Sequence, residues 1–256
     1  MLTQLIAGAV ADAMARKALR PQAEVEHAVS AQRPAKDVLS ALAPADRVKI
    51  IAEIKRASPS KGPLADIADP ADLARRYVQG GASAVSVLTE ERQFGGSLAD
   101  LEAVRAAVDV PVLRKDFIVM PYQVFEARAA GADLVLLMAS ALGQSELEKL
   151  HALVKELGMT ALVEAHDAQE LSRAIDVGAD VIGINARNLK TFELDRELFG
   201  RLVDRVPAGT ITVAESAVNS AADVARYRDA GADVVLIGEA LVTNDPISTL
   251  AEFLAV

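Results

Sequence analysis

The apolar positions along this chain change period near residue 48. Residues 2 to about 19 carry apolar side chains at helical spacing, residues 21 to 30 repeat the pattern behind Pro21, and a third helical pattern runs through DVLSAL at 37 to 42. From Val48 onward short apolar runs alternate with helical patterns. They predict strands near 49–55, 83–88, 110–116, 134–138, 159–164, 181–185, 210–215 and 233–237.

A weak internal repeat supports this register. GGASAVSVL at 80–88, AGADLVLLM at 130–138, VGADVIGIN at 177–185 and AGADVVLIG at 230–238 recur at spacings of 50, 47 and 53 residues. Each reads as a helix ending in glycine, followed by a buried strand, and each falls on an even-numbered strand. Two strand–helix units therefore fill each period. Strand–helix alternation implies a parallel sheet with right-handed crossovers, and units of about 26 residues suit a (β/α)8 barrel. The predicted class is α/β: a single TIM barrel, with residues 1–47 as a helical extension and 48–256 as eight units. A doubly wound open sheet is the rival, but it does not need the four-fold spacing.

The odd-numbered strands interrupt their apolar runs with charge. In KIIAEIKRASPSKG at 49–62, Ile51, Glu53 and Lys55 share one strand face, with the charges at the carboxyl end. Lys115 in PVLRKDF, Glu164 in TALVEAH and Glu215 in TVAES repeat the pattern. Alternation puts Leu113, Lys115 and Phe117 on one face, Leu162 with Glu164, and Val213 with Glu215. Inward charge at the carboxyl ends of strands is where barrel enzymes carry their chemistry, although an ion-pair network plugging the mouth would read the same way. Strand 6 adds Asn185 and Arg187 in GINARNLKTF. They suit a polar ligand, with turn capping as the bland alternative for the asparagine.

Charge and composition narrow the ligand. Residues 49–61 carry a net charge of +3 in a chain of net −9, and the RASPSKG loop is rich in hydroxyls and small residues, which together point to an anion site. ESAVNS and IGEAL follow strands 7 and 8. Small residues there let backbone N–H groups and a helix start approach a phosphate. Of the 256 residues 52% are hydrophobic and 4% aromatic, so the core is aliphatic. There is no cysteine, hence no disulfide or thiolate chemistry, and a cytoplasmic location is expected. No signal peptide or membrane span is expected, and an acidic pI near 4.9 argues against nucleic acid as partner. His27, His151 and His166 show no metal-ligand spacing and read as surface residues.

The segments IAEIKRASPSKG, LRKDFIV with YQVFEARAAGADLVLL, LVEAHD, IGINARNLKTFELD and VAES together resemble the indole-3-glycerol phosphate synthase family, along the whole chain including the amino-terminal helices. The resemblance implies a tryptophan-pathway lyase; the sequence leaves the oligomeric state open, with a monomer favoured. Its substrate, 1-(2-carboxyphenylamino)-1-deoxyribulose 5-phosphate, is a sugar phosphate carrying an anthranilate ring, and no cofactor or metal is implied. It further implies Lys115 as general acid for ring closure, Lys55 in dehydration, Glu164 as general acid or base, and Glu53 holding the lysines. Phe117 would pack on the anthranilate ring, while Asn185, Arg187 and Glu215 line the polar pocket. Ser58, Ser216, Ala217, Gly238 and Glu239 would mark the phosphate end, and the helices at 1–47 would lie over the carboxyl face. One departure is Ala217, where the family usually has glycine. Two other readings stay open at this level: an aldolase-like barrel using a Schiff-base lysine, and a non-catalytic phosphate-binding barrel.

Overall fold

The aspartate of the GAD repeats shows how local chemistry sets the fold. Asp133 Oδ2 accepts the Val112 N–H at 2.9 Å, and Asp233 Oδ2 accepts the Thr212 N–H at 2.8 Å. Each ties the turn before one strand to the start of the strand beside it. The repeat glycines take left-handed conformations that end their helices, with φ of 89° at Gly131 and 96° at Gly231. At the other end of the helices, Asp69, Ser97, Asp167, Ser220 and Asp245 cap with side-chain oxygens.

The computed structural model describes residues 2–188, 191 and 193–256. Eight parallel strands close in chain order: β1 (Lys49–Ile54), β2 (Ala84–Leu88), β3 (Val112–Lys115), β4 (Leu134–Met138), β5 (Thr160–Ala165), β6 (Val181–Asn185), β7 (Ile211–Glu215) and β8 (Val234–Ile237). Pairing of β8 with β1, Val234 opposite Lys49, closes the barrel and excludes an open sheet. All eight strands lie within two residues of the positions the pattern predicts. The β1–α loop adds a two-residue antiparallel ladder, Ala57–Ser58 with Gly62–Pro63.

Nine helices follow three amino-terminal ones, α1 (Leu2–Leu19), α2 (Gln22–Ser30) and α3 (Val38–Leu42), among the described residues. They include α6 (Pro121–Ala129), α8 (Ala168–Asp176), α10 (Ala221–Asp229) and α11 (Glu239–Val242). Alternation splits the core in two. Ile50, Ala52 and Ile54 pack outward under the helices, whereas Ile51, Leu113, Leu162, Val181 and Val213 fill the lumen. No helix among the described residues is long and apolar enough to cross a membrane.

The amino-terminal segment does not lie on one face. Helix α1 borders the mouth, where Leu5 lines the central cavity and Asp12 pairs with Arg92 of the loop after β2. Helix α2 packs along α6 through Val25, Tyr122 and Ala129. Residues 32–42 run to the opposite end. The Gln32 amide donates to Ala129 O, the Lys36 N–H donates to Asp133 Oδ1 at 2.8 Å, and the Lys36 ammonium pairs with Asp109. Fully buried Leu42 and nearly buried Val38 join the lumen cluster from below, just before the chain enters β1. The expectation that residues 1–47 cover the carboxyl face therefore holds for α1 and fails for α3, because the chain must reach the floor to start the first strand.

Candidate active site

Four carboxyl-end side chains converge in the lumen because their strands present the same parity there. Lys115 Nζ lies 3.6 Å from Glu215 Oε2, 3.7 Å from Glu164 Oε2 and 3.9 Å from Glu53 Oε2. Lys55, one residue past β1, turns back so that its Nζ is 3.2 Å from Glu53 Oε1, and the Ser86 hydroxyl donates to Glu53 Oε2 at 3.3 Å. Two glycines make the room. A Cβ on Gly183 would sit 2.2 Å from Glu215 Oε1, and one on Gly238 would sit 2.8 Å from Glu53 Oε1. Gly183 lies inside β6, where a glycine often marks such a close approach, and Gly238 directly follows β8.

The cluster is almost dry, with Glu164 fully buried and the Lys115 side chain 16% exposed. Burial opposes charge on Lys115, but Glu164, Glu215 and Glu53 outweigh it and raise its pKa above the ordinary lysine value. For Glu164 burial is likewise overcome, here by Lys115 and His166, and its pKa falls below the usual carboxylate range. Glu215 goes the other way. Its own burial and then the charge of Glu164 push it well above an ordinary carboxyl, so the pair divides into an anion and an acid. A Schiff-base lysine must react as the neutral amine, whereas this arrangement holds Lys115 as an ammonium, the form that donates a proton.

Above the charges is a cavity of about 350 Å³. It is lined by Glu53, Lys55, Ser58, Lys115, Phe117, Glu164, Asn185, Arg187, Glu215, Ser216, Ala217, Gly238 and Glu239, so every candidate taken from the sequence faces one space. Leu189, Lys190 and Phe192 of the strand 6 motif lie outside the described residues. Asn185 makes the local turn weighed for it, its Oδ1 accepting the Arg187 N–H at 3.0 Å, and the same oxygen accepts the Ser216 hydroxyl at 2.7 Å. Ser216 and Ala217 are consecutive left-handed residues, at φ 69° and 63°. Their carbonyls are held by hydrogen bonds, that of Ser216 from the Tyr227 hydroxyl at 3.2 Å and that of Ala217 from Arg196 Nη1 at 3.2 Å. Lys61 and Glu239 form an ion pair across the mouth.

Several residues escaped the sequence. Phe94 lies with its ring centroid 6.3 Å from that of Phe117, and Leu5, Arg196 and Asn219 line the cavity from loops or from α1. The histidines need correction. His27 is exposed as expected, but His151 is buried against the barrel, and the His166 side chain is 6% exposed with Nε2 3.1 Å from Glu164 Oε1. His166 sits where the chain leaves β5, two residues after Glu164, with its ring beside that carboxylate.

The profile of the family described as indole-3-glycerol phosphate synthase matches residues 2–253. A protein so named from Leifsonia xyli subsp. xyli is 68% identical over 99% of this chain and 97% of its own length. Another, from Beutenbergia cavernae, is 58% identical over 100% of this chain and 95% of its own. Among solved structures the N-acetylmannosamine-6-phosphate 2-epimerase from Clostridium perfringens superposes with a TM-score of 0.64 at 16% identity, over 85% of this chain and 96% of that one, a likeness of fold alone.

Proposed function

The chain belongs to the indole-3-glycerol phosphate synthase family, and from that premise we propose which of its side chains carries each step of the reaction. The activity is that of a lyase of tryptophan biosynthesis. It closes the ring of 1-(2-carboxyphenylamino)-1-deoxyribulose 5-phosphate and releases carbon dioxide and water to give indole-3-glycerol phosphate.

Ring closure needs a proton at the ketone oxygen as the ring carbon attacks, and the Lys115 ammonium is the donor. Its position among the carboxyl groups of Glu53, Glu164 and Glu215 at the cavity floor is the observation that carries this reading. Loss of the carboxyl group as carbon dioxide then restores the aromatic ring. In the last step the new hydroxyl leaves as water with a proton from Lys55, while Glu164 takes a proton from the adjacent ring carbon. Glu53 orients both lysines. Phe117, joined by Phe94, packs on the anthranilate ring, and Asn185, Arg187 and Glu215 hold the polar middle of the substrate. Ser58, Ser216, Ala217, Gly238 and Glu239 receive the phosphate, the last two through backbone N–H groups at the start of α11. A cytoplasmic location, supported by the cysteine-free composition, and a monomeric state complete the reading.

The test is Lys115→Met, followed by the fluorescence of the indole product, which a chain with no Trp does not obscure. Turnover is expected to fall on the order of 10²–10⁴-fold with the fold intact. Near-normal turnover would remove Lys115 from the mechanism, and borohydride trapping of Lys115 or Lys55 with substrate would support the aldolase-like rival.

A further inference from the structure

Behind the catalytic carboxylate stands a buried histidine to which the steps above give no part. His166 follows β5 directly, and its ring lies between two acids. Nε2 is 3.1 Å from Glu164 Oε1, and Nδ1 is 3.0 Å from Glu170 Oε2. The same Glu170 oxygen accepts the His166 backbone N–H at 2.8 Å. Glu170 is in turn fixed in the first turn of α8, where Asp167 caps the helix by accepting the N–H groups of Gln169 and Glu170.

We propose that His166, gripped between Glu164 and Glu170, is a positioning residue that makes Glu164 the anion and hence the base of the site, leaving the proton on Glu215. The inference rests on the reading of Glu164 as a proton-transfer group. Its first support is a count of ring protons. A neutral imidazole has one N–H, and with that proton on Nδ1 toward Glu170 it would leave the Nε2 lone pair 3.1 Å from the Glu164 carboxylate, where the imidazolium places positive charge instead. The Nδ1 arm is a hydrogen bond. The Nε2 arm is oblique, so it acts on Glu164 as a charge rather than as a directed bond.

The second support is the surrounding charge. Facing His166 are Glu164 from β5 and Glu170 from α8; beyond Glu164 stands Lys115 from β3, and beyond that ammonium stand Glu215 of β7 and Glu53 of β1. Glu164 is thus flanked by cations on two sides, while Glu215 has Lys115 alone. Burial works against a charged ring, yet the two carboxylates raise the His166 pKa to about 10. Two buried acids sharing one ammonium cannot both be ionised cheaply, and the histidine decides between them.

Glu164 serves as base only when ionised, and removing the cation behind it raises its pKa. His166→Gln should therefore move the acid limb of the kcat/KM profile upward by about one pH unit or more, about a tenfold loss at a pH on that limb, with recovery on the alkaline side. Glu170→Gln leaves the lumen untouched and should lower the pH at which the His166 ring loses its proton, read from ring 15N shifts in histidine-labelled enzyme. An acid limb that stays in place in folded His166→Gln enzyme overturns the proposal. So does a ring titration unchanged by Glu170→Gln, should the first variant not fold. If instead Lys115→Met retains turnover, the reading of the cluster itself has failed, an outcome separable from both.

Discussion

The mouth and the floor of the barrel are built on the same strands and differ by one step of the pleat. Ile51 lies below Glu53, Leu113 below Lys115, Leu162 below Glu164 and Val213 below Glu215, each pair two residues apart on one face, about 6.6 Å. Within that distance the lumen passes from a closed aliphatic core to a set of interacting charges. The apolar layer works for the charges above it: it keeps water away from one side and fixes the strand ends, so that carboxylate and ammonium act across a medium of low polarity. The amino-terminal segment serves both ends, with α1 beside the cavity and α3 against the floor.

Three variants separate the two ends, beginning with the largest effect. Leu42→Ala at the floor removes a fully buried side chain and should cost about 2–5 kcal/mol of stability in urea unfolding, with kcat per folded molecule little changed. A comparable loss of kcat would mean that floor packing sets the geometry of the mouth. Deleting residues 1–20 removes α1 with Leu5 but leaves α3 in place. KM should rise by about ten- to a hundredfold, roughly 1.4 to 2.7 kcal/mol, while the melting temperature falls less than in Leu42→Ala. Should the truncated chain fail to fold, α1 would count as part of the core. The smallest effect belongs to Ala217→Gly. An alanine at φ 63° carries roughly 1–2 kcal/mol of strain. If phosphate binding enforces that conformation, glycine lowers KM by about tenfold with kcat unchanged, because the phosphate is held alike in ground and transition states. An unchanged KM in phosphate-free buffer would show that the protein bears the strain in either state.

What was legible in the sequence follows the same division. Strand positions and inward charges could be read because both obey a period of two, and a repeat of known spacing fixed their register. Ala217 stood out as a departure, but its positive φ goes with Arg196 holding its carbonyl and Tyr227 holding that of Ser216, contacts across 21 and 11 residues of chain. Phe94, Leu5 and Arg196 reach the cavity only through loop paths and helix docking, which no local pattern encodes. His166 did leave a trace. Asp167 and Glu170 form an acidic helix start, and a first-turn glutamate reaching back to the preceding residue could have placed His166 inside rather than on the surface. The three amino-terminal helices were visible as helices, but nothing in their apolar pattern says which end of a barrel each will meet.

The contacts at the floor also bear on the order in which a growing chain can assemble. Gln32, Arg33 and Lys36 bond to Ala129, Arg128, Asp109 and Asp133, all in the first 133 residues. These polar contacts need nothing from β5 to β8. A ribosome that has released the first half of the protein has already released both the segment around α3 and its anchors on the turns before β3 and β4. The segment made first can therefore be seated while the sheet is still open, over an apolar underside that would otherwise face water until the last strands arrive.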